Sequence, residues 1–188
     1  MSIIRYILPD TINKKMMYII GKIDSMRHRY CLPDKFDADE VYPGIYIGNL
    51  SSSMNIEEIT KKGITHIMSV MNGSGKYWDS IKYSTYHVND DSWIDLSQHF
   101  ESAIGFIDNA IFTGGKVLVH CREGVSRSVT MVLAYIIYKE KISPSVALKK
   151  IQDARSKANP NNGFMRLLQK YYEEIVSVNN EEKVVSND

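Results

Sequence analysis

The chain has 188 residues, 44% of them apolar and 24% charged, an ordinary globular balance with room for one sizeable core. A formal net charge of +1 leaves no molecule-wide field for nucleic-acid binding or membrane adsorption, so any anion affinity must be local. The two cysteines, Cys31 and Cys121, stand far apart without metal-ligand spacing, which argues against a disulfide framework or a zinc site and for a reducing compartment, cytoplasmic or alternatively nuclear.

The opening MSIIRYILPD is interrupted by Arg5, Pro9 and Asp10, so neither a signal peptide nor a membrane span is expected there. Residues 12 to 30 then place Ile12, Met16, Ile19, Ile23, Met26 and Tyr30 at steps of four and three, the stripe of an amphipathic helix. Docking onto its own domain is the expected use of that stripe. Self-association into a homodimer is the alternative, although so short a seam is seldom stable alone. CLPDKFDADE reads as a polar linker.

From Val41, VYPGIYIGN reads as a strand with a Pro-Gly turn before it, NIEEITKKG as a helix closed by Gly63, and ITHIMSV as a buried strand. MNGSGKYWDS is a loop, YSTYHV a strand, LSQHFESAIGFIDNAIF an amphipathic helix stopped by two glycines, and KVLVHC a short, continuously apolar strand. SRSVTMVLAYIIYKEK is apolar on nearly every side, as a helix buried beneath a sheet would be. SPSVALKKIQDARSK opens with Ser143 as cap and Pro144 at the first helical position, and NNGFMRLLQKYYEEIVS is a last helix. The polar tail, residues 177–188, is expected to be disordered. Strands alternating with helices imply an α/β layer fold.

VLVHCREGVSRS places Cys121 at the end of the apolar strand and Arg127 at the start of the buried helix. A strand-to-helix turn of this length can curl so that the backbone N–H groups of Arg122, Glu123, Gly124, Val125, Ser126 and Arg127 converge on one point, a nest for phosphate at a helix N-terminus. Gly124 permits the tight curl. The same dipoles favour negative charge on sulfur, so Cys121 is expected to act as a thiolate nucleophile and later as a leaving group. Arg127 is needed as arginine because a planar fork binds two phosphoryl oxygens at once. Ser128 is placed to stabilise the departing thiolate, and His120 to orient the loop rather than to act as base. Cys31, in the linker, has no such setting and reads as an incidental thiol.

A phosphate ester also needs an acid to protonate its leaving oxygen, and the same carboxylate can then activate water. YHVNDDSWIDLSQHF offers Asp90 and Asp91 past a strand end, with Asp95 reading as a helix cap. Spacing alone leaves Asp90 and Asp91 tied. Trp93, in the same segment, either lines the site or simply packs.

From about Val41 to Ile175 these residues resemble the catalytic domain of the dual-specificity protein phosphatases, in the atypical group that lacks a kinase-docking domain. HCREGVSRS fits the family loop His-Cys-x-x-Gly-x-Ser-Arg-Ser at every fixed position, while GIYIGN, KKGITHIMSV and NPNNGFM look like other family segments. The resemblance implies a twisted, mostly parallel central sheet with helices on both faces, as in phosphotyrosine phosphatases. It also implies a two-step mechanism through phosphocysteine without metal or cofactor, and a shallow pocket accepting phosphotyrosine and phosphoserine or phosphothreonine. In the family the acid lies six residues before the leucine of a motif like LSQHF, which selects Asp90. The corresponding division is an N-terminal helical extension over 1–36, a catalytic domain over 37–176 and a tail over 177–188. Ser156, between Arg155 and Lys157, stands where some relatives carry a basic residue for a second phosphate, which puts recognition of doubly phosphorylated substrates in doubt.

Two rival readings stand beside this one, the first from a different functional class and the second with the same chemistry on another substrate. A pseudophosphatase would bind phosphorylated partners without turnover, yet Cys121, Arg127 and Asp90 are all present. A phosphoinositide or RNA 5′-end substrate favours extra basic residues in the loop, whereas Arg122 is offset by Glu123 and Val125 is apolar. Phosphorylated proteins are the expected partners, with no nucleic acid and no membrane.

Overall fold

The structure, a computed structural model, describes residues 36–185 together with Gly21. The expected helix over 12–30, apart from Gly21, and the first half of the expected linker, with Cys31, lie outside the described residues.

Five strands form one sheet: β1 (Ala38–Tyr42), β2 (Ile45–Gly48), β3 (Ile64–Val70), β4 (Lys82–Tyr86) and β5 (Lys116–His120). They lie in the order β1-β2-β5-β3-β4, with β1 and β2 antiparallel and every other pair parallel. The helices are α1 (Leu50–Ser53), α2 (Ile56–Lys61), α3 (Phe100–Phe112), α4 (Arg127–Glu140), α5 (Pro144–Ala154) and α6 (Asn162–Val185). A short 3₁₀ turn, Ser97–His99, leads into α3.

Successive residues of a strand face opposite sides of a sheet, and here both sides are apolar. Ile45, Ile47, Met68, Val70, Val117 and Val119 face the large core, which Phe100, Ile104 and Ile107 of α3 and Val132, Leu133 and Ile136 of α4 fill from above. Tyr46, Ile67 and Leu118 face the other side, where Ile59 of α2 and the partly buried Trp78, Ile81 and Tyr83 cover them. β5 is flanked on both edges, so the expected continuous apolar run is what a central strand requires. The twisted α/β sheet with helices on both faces is therefore present.

Two expectations are corrected. The polar linker was drawn through Glu40, but Ala38–Glu40 belong to β1. Asp and Glu are poor strand formers by themselves; pairing supplies the order, with Ala38 opposite Gly48 and Asp39 opposite Ile47. The Glu40 carboxylate closes the hairpin by accepting the Gly44 N–H at 2.9 Å and the Tyr46 hydroxyl at 2.8 Å. At the other end, α6 continues through residues 177–185, where disorder was expected. No glycine or proline follows Gly163 to stop it, and backbone bonds propagate through polar residues once a helix is nucleated. Among the described residues no helix is long and apolar enough to cross a membrane.

Candidate active site

The central strand β5 ends at His120 and delivers Cys121 to the carboxyl edge of the sheet, where open parallel sheets collect ligands. Cys121 is 1% exposed. Its Sγ receives the Gly124 N–H at 3.3 Å and lies 3.2 Å from the Ser128 hydroxyl. One backbone N–H is thus aimed at the sulfur, with a hydroxyl in hydrogen-bonding range of it.

The loop is held open from outside. The carbonyl of Arg122 accepts the Leu50 N–H at 3.1 Å, that of Gly124 accepts the Arg155 Nε–H at 2.8 Å, and that of Val125 accepts the Asn159 N–H at 2.8 Å. A planar trans peptide sets its N–H opposite its C=O. With these three carbonyls bonded to groups outside the loop, the N–H groups of Glu123, Val125 and Ser126 point away from those partners. Gly124 has a φ of +67°, and a Cβ there would stand 2.6 Å from both the Gly48 carbonyl oxygen and an Arg155 guanidinium nitrogen. Only glycine fits.

Arg127 opens α4 and lies beside the acid loop. Its Nε–H donates to Asp90 Oδ2 at 3.3 Å and its Nη1 to the Val88 carbonyl at 3.1 Å. Asp90 Oδ1 accepts the Ser126 hydroxyl at 2.6 Å and the Asn161 side-chain amide at 3.0 Å. The Asp91 side chain has no hydrogen-bond partner among the described residues, and its backbone carbonyl accepts the Ile94 N–H. Spacing could not separate the two carboxylates; geometry ties Asp90, and not Asp91, to the loop. Asp95 was expected to cap the helix, but the cap position of the 3₁₀ turn is Leu96 and that of α3 is His99; Asp95 instead accepts the Ser97 N–H at 2.9 Å and orders the approach to the 3₁₀ turn.

His120 is buried beneath the loop and its Nδ1–H donates to the Cys121 carbonyl at 3.3 Å. Burial pushes its pKa down to about 4; the hydrogen bond to Cys121 opposes this and the Arg127 charge adds to it. It is neutral near pH 7, which suits orienting the loop and not taking a proton. The side chains of Arg122 and Glu123 pair with each other at 3.6 Å on the surface, so only their backbone belongs to the nest.

Four contributors were not singled out from the sequence. Asn161 caps α6 by accepting the Phe164 N–H at 3.0 Å while its amide holds Asp90; an Asn preceding a helix was the available signal. Arg155, 2% exposed, braces Gly124 while pairing with Asp39 at 2.5 Å and Asp37 at 3.1 Å. Burial works to raise the Asp37 carboxyl, but hydrogen bonds from Lys157 and Arg155 together hold it below the usual range. Asp37 and Asp39 lay in the segment read as linker, so nothing local marked them. Among the described residues no group of three or more His, Cys, Asp or Glu is placed to hold a metal ion.

The family model for the dual specificity phosphatase catalytic domain matches residues 45–174. The chain belongs to the dual-specificity phosphatases. Dual specificity protein phosphatase 22 of Homo sapiens is 38% identical over 133 residues, covering 71% of this chain and 72% of that protein. Dual specificity protein phosphatase 26 of Mus musculus is 40% identical over 141 residues, 70% of this chain and 65% of that protein. The crystal structure of a human tyrosine phosphatase-like serine/threonine/tyrosine-interacting protein superposes with a TM-score of 0.73 at 30% identity, covering 76% of this chain and 99% of the other. This chain is thus an atypical dual-specificity phosphatase of the cysteine-dependent superfamily, a hydrolase of phosphorylated proteins. The resemblance carried by HCREGVSRS extends to the whole α/β domain.

Proposed function

We propose that this phosphatase hydrolyses phosphotyrosine and phosphoserine or phosphothreonine through a phosphocysteine formed on Cys121. The observation that carries the assignment is the buried sulfur, receiving the Gly124 N–H in a loop whose carbonyls bond outward, with Arg127 and Asp90 paired beside it. The phosphate oxygens sit among the N–H groups of residues 122–127. The Arg127 fork follows them as phosphorus becomes trigonal bipyramidal, where its hydrogen bonds strengthen. Sγ attacks phosphorus as the P–O ester bond breaks, and Asp90 delivers a proton to the leaving oxygen. In the second step Asp90 takes a proton from water, whose oxygen attacks phosphorus. The P–S bond breaks, and the thiolate departs against the Ser128 hydroxyl.

His120 and Asn161 position the nucleophile and the acid. A reducing compartment, cytoplasm or nucleus, keeps the nucleophile in the thiol state. Binding of phosphorylated partners without turnover is the competing reading, and hydrolysis decides between them.

The test is release of phosphate from phosphotyrosyl and phosphothreonyl peptides with chelator present. Cys121→Ser should abolish turnover and retain phosphopeptide binding. Asp90→Asn should lower kcat by about a hundredfold or more, the usual worth of a positioned acid, with Asp91→Asn near wild type. Greater damage from Asp91→Asn would overturn the acid assignment, and an inactive wild type that still binds phosphopeptide would overturn catalysis itself.

A further inference from the structure

Trp93 is 79% exposed, and it lies on the segment that carries Asp90. The Ile94 N–H bonds the Asp91 carbonyl at 3.1 Å, making a four-residue turn with Ser92 and Trp93 at its corners. That turn is pinned on both sides. Ile94 packs on the main core and Leu96 is fully buried. The Ser92 carbonyl lies so close to Gly163 that a Cβ there would overlap it. The indole is therefore held outward by an ordered backbone, without a ring or hydrogen-bond partner among the described residues. It lies three positions beyond Asp90, about 10 Å of chain at most.

Resting on the phosphatase assignment above, we infer that Trp93 is a specificity-determining residue that packs against the ring of a phosphotyrosine whose leaving oxygen is at Asp90. In phosphotyrosine the aromatic ring is bonded directly to the leaving oxygen, so it occupies the space next to the acid, within reach of an indole on the adjoining turn. In phosphothreonine that space holds a single tetrahedral carbon and then peptide backbone. Aromatic pairs gain stabilisation beyond their buried area, which a threonyl group cannot supply. The contact biases a site that accepts both esters toward the aromatic one.

The experiment compares full-length wild type, Trp93→Ala and Trp93→Phe on phosphotyrosyl and phosphothreonyl peptides of identical flanking sequence. Trp93→Ala should lower kcat/KM for the tyrosyl peptide by about tenfold and for the threonyl peptide by less than about twofold, with Trp93→Phe retaining most of the preference. In the Cys121→Ser background, the phosphotyrosyl peptide should change the tryptophan fluorescence, and adding Trp93→Phe should remove that change. An equal loss on both peptides would assign Trp93 to support of the acid loop and overturn the inference. No loss on either would overturn it as well. Both outcomes leave the phosphatase assignment standing so long as the wild type turns over, whereas an inert wild type removes both.

Discussion

At the scale of single residues, function rests on groups whose protonation the fold fixes. His120 titrates near 6.5 when unfolded and is pushed down to about 4 by burial in the native state. The unfolded chain therefore takes up a proton below pH 6.5 that the native protein refuses until about pH 4. The stability this represents is full above pH 6.5 and is lost as pH falls through that window, on the order of 3 kcal/mol in all. His66, also lowered by burial, acts in the same direction, so the contribution of His120 must be read by difference. His120→Asn keeps a donor for the Cys121 carbonyl but cannot titrate. Denaturant unfolding at pH 7 and pH 4.5 should show a smaller loss of stability for this variant than for wild type. An identical loss in both proteins would show that His120 is not the titrating group.

At the scale of elements, the site is a junction between segments distant in sequence. The loop between β5 and α4 is legible because all its requirements are local: an apolar strand, a cysteine, a glycine at positive φ and an arginine opening a helix. The acid turn was less legible, because what distinguishes Asp90 from Asp91 is contact with Ser126, Arg127 and Asn161, residues 36 to 71 positions away. The start of α6 sets the height of that turn. Gly163→Ala would push a methyl group into the Ser92 carbonyl, moving the turn off α6 and Asp90 with it. We expect kcat to fall by about tenfold or more, as small misplacements of catalytic groups do. Phosphate binding by the loop should change little. Phosphopeptide affinity measured on Cys121→Ser with and without Gly163→Ala separates the two effects, and an unaltered kcat for Gly163→Ala alone would show that the turn is not seated there.

At the scale of the whole molecule, the domain begins before its family match. The matched span starts at residue 45, yet Asp37 and Asp39 neutralise the buried Arg155 that braces the catalytic loop. A chain starting at Phe36 should fold cooperatively and hydrolyse an aryl phosphate at close to the full-length rate. One starting at Val41 leaves Arg155 buried without its carboxylates and should lose about 3 kcal/mol or more. Thermal unfolding of the two truncations checks this, and equal melting temperatures would show the brace to be dispensable. The amino-acid sequence by itself determined the α/β layering, the nucleophile loop and the buried helix behind it, because period, turn chemistry and loop length are properties of adjacent residues. Spacing left Asp90 and Asp91 tied and the family resemblance selected Asp90; only the tertiary structure decided that β1 is a strand, which contacts tie Asp90 to the loop, and that Arg155 and Asn161 brace it. Each of those depends on a partner brought close by folding, and a charge or an amide carries no local mark of the partner it will meet.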